Sequence, residues 1–312
     1  MIVCACAHPS IDKLFEVERL TLGAIHRPSS FVQVPGGKGL NAARAAASIG
    51  ADVRAVALVG GHAGAWIEDA LSEEGFDARF AWGSHETRSC LSVADVATGE
   101  LTEFYEEGSP VDPDVWDAFE AEIEEALVDA AWIAISGSIP AGAPESGLAT
   151  IASSARRSGV RVAIDTRGVF LQNALEAAPD VVKVNAGEAA ELLGIEIRND
   201  ADAAKATEAL RARAGGDGHA AVITLGVEGV VAVDASGRGL RGTLDARGRY
   251  PVASGDSFLA GLVATLDRGG TFEEALSNGL GTAAANAEMP GAGRLNAERA
   301  RALSARARVE TI

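Results

Sequence analysis

The chain is short of positive charge, of cysteine and of long apolar runs, and each shortage excludes something. Its 312 residues carry 27 Lys and Arg against 44 Asp and Glu, a net charge of −17 with His neutral. Duplex nucleic-acid binders neutralise phosphates with Lys and Arg, so no nucleic-acid partner is expected, although a local basic pocket still suits a small anion. No apolar stretch approaches the ~20 residues that span a bilayer, so no membrane partner is expected either. The three cysteines, Cys4, Cys6 and Cys90, have no His or Cys at metal spacing and read as buried thiols in a reducing cytoplasm. The opening run Met1-Ile-Val-Cys-Ala-Cys-Ala7 lacks the basic segment of a secretory signal. Linkers rich in Pro, Gly or Ser, repeats and low-complexity tracts are also missing, so residues 1–312 are expected to form one unit. With 47% hydrophobic residues, that unit can bury a large core.

What is present is an alternation. Val53–Val59, Trp132–Ile135, Val160–Ile164, Val181–Val184 and Ala221–Ile223 are short apolar, β-branched runs suited to strands buried on both faces. Helical stretches lie between them: Ala-rich Asn41–Ile49, and Trp116, Phe119, Ile123 and Leu127 at helical spacing after an Asp112-Pro113 start. This rhythm predicts an α/β fold, a doubly wound, mainly parallel sheet with helices on both faces. Residues 12–35 and 86–107 break it. Leu91–Asp95 and Leu101–Tyr105, joined by Thr98-Gly99, read as a hairpin. Both segments are expected to form a small β-sheet lid or dimer surface.

Ligands of open α/β sheets bind beyond the carboxyl ends of the strands, so the residues just after each apolar run carry the most information. They are Gly60-Gly61, Ser136-Gly-Ser138-Ile-Pro140, Asp165-Thr-Arg-Gly168, Asn185-Ala-Gly-Glu188 and Thr224-Leu-Gly226-Val-Glu-Gly229. Five such endings at one rim describe a polar cleft for phosphates and hydroxyls. Pro35-Gly36-Gly37-Lys38-Gly39-Leu40-Asn41 leads into the Ala-rich helix and reads equally as a turn or as an anion-binding helix start. Lys38 is followed by Gly39, so this is no Walker A loop, and Gly279-Leu-Gly281 is no dinucleotide fingerprint. Val252-Ala253-Ser254-Gly255-Asp256-Ser257 precedes a second apolar helix. Asp256 reads there either as an N-cap or as a general base beside an anion hole of the Ser254, Gly255 and Asp256 amides. Asn185 and Glu188 fit a helix cap or Mg²⁺ oxygen ligands. Lys183, inside an apolar strand, needs either the cleft or a partner charge. The five histidines, His8 included, form no cluster and receive no role.

Taken together and in this order, the motifs resemble the phosphofructokinase B (PfkB) group of the ribokinase-like carbohydrate kinases, which includes 1-phosphofructokinases, tagatose-6-phosphate kinases and 6-phosphofructokinases of this type. The resemblance rests on His8-Pro-Ser-Ile-Asp12, Gly36–Asn41, Ser136–Pro140, Asp165–Gly168, Lys183–Glu188, Thr224–Gly226 and Ala253–Ser257, nearly the whole chain. It implies a ribokinase-like fold and transfer of a phosphoryl group from ATP with Mg²⁺. Asp256 would be the catalytic base and Ala253, Ser254 and Gly255 its anion hole. Asp12, Gly36, Gly37, Lys38, Asn41, Arg88 and Ser138 would hold the substrate, with Arg27 supplied across a homodimer formed through the lid. Lys183, Asn185, Thr224, Gly226, Gly229 and Asn286 would hold ATP, and Asn185 and Glu188 the metal. The cations Lys38, Arg88 and Arg27 favour a hexose phosphate.

The sequence also departs from the family. Ala253 stands where the anion hole opens with glycine, at a cost of roughly 1 kcal/mol if its φ is positive. Arg249-Tyr250-Pro251 replaces the usual polar residues, which leaves monovalent-cation activation and local nucleotide contacts open. Two rivals remain: the same scaffold acting on an unphosphorylated sugar or nucleoside, and a catalytically silent binder of sugar phosphate. A nicotinamide dehydrogenase would need the missing glycine fingerprint.

Overall fold

The computed structural model describes residues 1–312. Its strands are β1 (Ile2–Cys6), β2 (Ser10–Val17), β3 (Ser30–Gly36), β4 (Val53–Gly60), β5 (Asp77–Gly83), β6 (Ser89–Asp95) and β7 (Leu101–Tyr105). They continue with β8 (Trp132–Ser136), β9 (Arg161–Asp165), β10 (Val181–Asn185), β11 (Ala220–Thr224), β12 (Val230–Val233), β13 (Gly239–Thr243) and β14 (Arg308–Thr311). Ten of them form one sheet in the order β14-β13-β12-β11-β10-β9-β8-β1-β4-β5.

From β5 to β11 every neighbouring pair is parallel. The order steps outward both ways from the β8–β1 pair, as expected of a doubly wound sheet. The last three strands turn back antiparallel, a stretch that the sequence pattern does not announce. Val230–Val233 is apolar but follows β11 with no α-helix between them, and β13 carries Arg241 beside Gly242, so neither fits the strand–helix alternation of the parallel strands.

Strand alternation separates two apolar cores. Ile2, Cys4 and Cys6 face one with Leu40, Ile67, Phe258, Leu262 and Leu276. Val3 and Ala5 face the other with Trp116, Phe119, Ile151, Leu171 and Leu210. Helices therefore cover both faces, and a pleat of period two puts neighbouring residues on opposite sides. The Ala-rich helix is Lys38–Ser48; Ala42, Ala43, Ala45 and Ala46 are fully buried, so small side chains let it lie close to the sheet. The helix Pro113–Ala126 starts at Asp112 with proline in its first turn and buries Trp116, Phe119 and Ile123. Phe119→Ala would cost about 3–5 kcal/mol by cavity formation. All three cysteines are free and buried. Burial pushes the Cys4 thiol up to about 12 and the Cys6 thiol to about 11, so neither is a nucleophile.

The remaining four strands form a separate sheet in the order β3-β2-β6-β7. The hairpin β6–β7 pairs Ala94 with Leu101, but the central β2–β6 pair is parallel. On β2, Asp12 and Leu14 line a cleft of about 490 Å³ that also takes in Val34, Tyr250 and Val252. The small sheet thus leans over the segment that begins the helix Ser254–Asp267. No helix is long and apolar enough to cross a membrane.

Candidate active site

The strand register aligns the polar rim. Ser136 lies beside Asp165, and Asn185 beside Thr224. Pairing of Ile164 with Val182 continues one residue on to set Asp165 next to Lys183. On the far side, the loop 35–37 enters the helix Lys38–Ser48. Gly36 has no room for a side chain, because a Cβ there would fall 2.0 Å from Cγ of Asp12. Gly37 turns the chain with φ 97°, a conformation that L side chains rarely adopt.

Asp256 is the third residue of the helix Ser254–Asp267, and Ala253 precedes that helix with φ 63° and ψ 11°. The conditional cost anticipated for alanine therefore applies. Asp256 is 5% exposed and its Oδ2 accepts a hydrogen bond of 3.0 Å from Asn41 Nδ2. Burial pushes its carboxyl up to about 6; Lys38 opposes the shift and the charge on Asp165 adds to it. A carboxyl of that value is ionised near neutrality yet more basic than an ordinary one, as a proton acceptor requires.

The amides beside it correct one expectation. Ser254 N–H already donates to Pro251 O at 3.1 Å, so it is committed to the turn. The Gly255 and Asp256 amides make no backbone bond outside the helix and have no earlier helical carbonyl to reach. The amides left without a partner are thus two rather than three. Asn286 is engaged within the protein. It is 1% exposed, and its amide nitrogen donates to Val252 O at 2.7 Å while its oxygen accepts from Gly293 N–H at 2.9 Å. Its polar groups tie the Val252 segment down.

Across the cleft, Asp165 is a hub to which the motif pattern assigns no role of its own. It is fully buried, contacts Lys183 Nζ through Oδ2, and lies 3.2 Å from Lys38 Nζ through Oδ1. Burial favours its neutral form, yet the two ammonium groups outweigh burial and hold the carboxyl below its usual value. The signal available in sequence was a carboxylate ending β9 beside a lysine inside β10. Lys38 also lies 3.5 Å from Glu188 Oε1; Asp165, more than any other group, raises its pKa. Lys38 therefore points to the Asp165–Glu188 side of the cleft. Lys183 Nζ lies 3.1 Å from where a Cβ on Gly255 would stand, so β10 and the Asp256 helix meet at this cation.

Asn185 and Glu188 form a reciprocal cap: Asn185 Oδ1 accepts from Glu188 N–H at 2.9 Å, and Glu188 Oε2 accepts from Asn185 N–H at 2.8 Å. Both readings of this pair survive, because Glu188 Oε1 remains turned toward Lys38. No group of three or more acidic, His or Cys side chains could cage a metal. Asp165 and Glu188 nevertheless converge on one cation, Lys38, and such sparse carboxylates suit Mg²⁺, which keeps waters and phosphate oxygens as its other ligands.

On the lid side, Ser10 Oγ donates to Asp12 Oδ1 at 2.6 Å, and burial raises the Asp12 carboxyl. Arg88 donates to the carbonyls of His8 at 3.2 Å, Pro9 at 3.4 Å and Glu106 at 3.1 Å. Ser138 Oγ lies 3.1 Å from Nδ1 of His8, a residue given no role in sequence that here joins Ser138 to Arg88. Arg27 lies in the exposed connection between β2 and β3. Thr224, Gly226 and Gly229 surround the turn after β11, with the Thr224 hydroxyl donating to Val184 O at 3.4 Å.

A doubly wound sheet, a basic carboxyl at a helix start with two open amides, and carboxylates gathered about a lysine define a phosphotransferase cleft. Residues 5–299 match the pfkB family carbohydrate kinase, and the chain belongs to that family. It is 28% identical to the tagatose-6-phosphate kinase of Staphylococcus epidermidis over 301 residues, 96% of each chain. The tetrameric inhibited form of phosphofructokinase-2 from Escherichia coli superposes with a TM-score of 0.88 at 25% identity, over 97% of this chain and 98% of that one. A possible 1-phosphofructokinase of Thermotoga maritima gives 0.90 at 22% identity, over 100% and 99% of the two chains; at that identity it attests the fold. The protein is a carbohydrate kinase with the ribokinase-like architecture expected from its sequence.

Proposed function

We propose that the protein transfers the γ-phosphoryl group of ATP to a hexose phosphate of the fructose 6-phosphate, tagatose 6-phosphate or fructose 1-phosphate kind, giving a bisphosphate. The observation that carries this reading is Asp256: buried, poised at about 6, and set in a helix whose first free amides are its own and that of Gly255. Asn41 holds the carboxylate. Asp256 takes the proton of the acceptor hydroxyl as that oxygen attacks the γ-phosphorus in line, and the amides of Gly255 and Asp256 bind the developing charge. Lys183 lies beside them and serves the transferring phosphates. Asn185, Thr224, Gly226 and Gly229 border the nucleotide side, and Glu188 with Asn185 would hold Mg²⁺. That ion neutralises phosphate charge when bound. Asp12, Gly36, Gly37, Asn41, Arg88 and Ser138 border the acceptor side, under a small sheet that excludes water from the transfer.

A hexose phosphate is the substrate class supported by the names of the tagatose and fructose kinases above. One observation favours a second acceptor class, an unphosphorylated sugar: Arg88 is engaged by three carbonyls. We propose that a second copy supplies Arg27, because Leu22, Ile25, Phe31 and Phe104 of the lid region are exposed. A monomer by sedimentation at working concentration would remove that part. Free thiols and phosphorylated metabolites support a reaction in the cytoplasm.

The test is ADP release with MgATP across fructose 6-phosphate, tagatose 6-phosphate, fructose 1-phosphate, fructose, ribose and adenosine. Turnover on a phosphorylated hexose, with its KM raised at least tenfold in Arg88→Ala, is the expected result. Turnover only on free sugars leaves the kinase and removes the hexose-phosphate assignment. Silence with ligand-dependent stabilisation would make the protein a binder.

A further inference from the structure

The segment Arg249-Tyr250-Pro251, where the sequence departs from its family, is bonded to the lid. Tyr250 N–H donates to Ala287 O at 2.9 Å, which anchors its backbone to the body. Its hydroxyl donates to Glu16 Oε1 at 2.6 Å. Arg249 Nη1 lies 3.7 Å from the same oxygen, and the Glu16 side chain is 17% exposed. Glu16 is on β2, four residues beyond Asp12 and on the same face of the small sheet. Two residues separate Tyr250 from the αL turn at Ala253, and little in that stretch is free to move. Pro251 has its φ set by its ring, and its carbonyl accepts from Ser254 N–H. Val252 O accepts from Asn286.

We propose that Tyr250 and Glu16 are positioning residues that fix the seating of the lid sheet and the alignment of the Gly255 and Asp256 amides to each other. A bond from a phenol to a carboxylate is charge-assisted and worth more than an ordinary hydrogen bond. Here it ties the wall that carries Asp12 to the backbone that carries the anion donors. When the sheet lifts, the 250–253 segment loses its outer support and the αL turn relaxes. When it seats, acceptor wall and donors come into alignment together. The catalytic consequence rests on the kinase reading above; the mechanical link does not.

Tyr250→Phe keeps the ring and removes only the bond. Hydrogen exchange of the ligand-free protein is the first readout: residues 10–17 and 249–256 should exchange faster in the variant, while 113–126 stays unchanged. Glu16→Gln, with Tyr250 in place, still offers the phenol an oxygen and should keep most of the protection. Steady-state rates are the second. The variant should lose about tenfold in kcat, the worth of one such bond expressed in the transition state, with both KM values within twofold. ATP hydrolysis without acceptor should rise relative to sugar phosphorylation. Unchanged exchange in Tyr250→Phe overturns the link, and faster exchange confined to 10–17 overturns its reach to the anion donors. Faster exchange in both segments with unaltered kcat overturns the positioning role. A wild-type protein inactive on every acceptor counts against the kinase reading alone, because the exchange arm needs no substrate.

Discussion

Asp165 and Asp256 are both buried beside Lys38, yet their surroundings drive them in opposite directions. Asp165 sits where two parallel strands end, with Lys183 at one oxygen and Lys38 at the other, and is held ionised below its usual value. Asp256 sits at a helix start with a neutral amide as its hydrogen-bond partner, and burial raises it to about 6. The number of direct cation contacts, more than burial, divides the two roles. The doubly paired carboxylate is a fixed charge that organises cations. The carboxylate paired with an amide keeps its affinity for a proton.

The contrast is broken most severely by removing the fixed charge. Asp165→Asn leaves Lys183 buried without a counter-charge and should cost about 3–5 kcal/mol in denaturant unfolding at pH 7. Because the folded pKa of Asp165 is lowered, its contribution exists above the usual carboxylate value and fades as pH falls below it. Wild type and variant should therefore converge in acid; a gap that persists unchanged at pH 3 would contradict the assignment.

Asp256→Asn should do the reverse. A raised folded pKa means that the protonated carboxyl suits the fold better than the ionised one. The penalty is absent below the unfolded value near 3.8 and complete above about 6. The amide variant should gain about 2 kcal/mol at pH 8 and nothing at pH 3.5, read from chemical denaturation. A loss of stability at pH 8 would mean that Asp256 is supported like Asp165. The smallest expected effect is that of Ala253→Gly, which relieves a left-handed backbone and should stabilise by about 1 kcal/mol in thermal unfolding. A rise in turnover alongside would show that the methyl group crowds the transferring phosphoryl; unchanged turnover would confine it to backbone strain.

Much of this contrast was legible in sequence, and unevenly so. Strands buried on both faces announce themselves as unbroken apolar runs, which is why β4, β8, β9, β10 and β11 and the polar residues ending them could be placed. Asp256 could be placed at a helix start because Phe258, Leu259 and Leu262 repeat behind it. What stayed hidden depends on distant pairs. Lys38 and Asp165 are 127 residues apart, and no local pattern says whether a lysine after two glycines faces a substrate or a carboxylate. The partners of Asn286, Val252 and Gly293, were hidden for the same reason. The strand β12 is apolar but follows β11 with no α-helix between them, and β13 and β14 carry charged residues, so they fall outside the alternation.

The decisive measurement is the turnover of Asp256→Asn against wild type with MgATP and fructose 6-phosphate or tagatose 6-phosphate at pH 8. ADP formation should fall by about 10³-fold or more in a variant that stays folded and still binds both substrates, since base and charge at the reacting oxygen are removed together. Turnover within tenfold of wild type would contradict the role given to Asp256 and transfer proton acceptance to another group in the cleft.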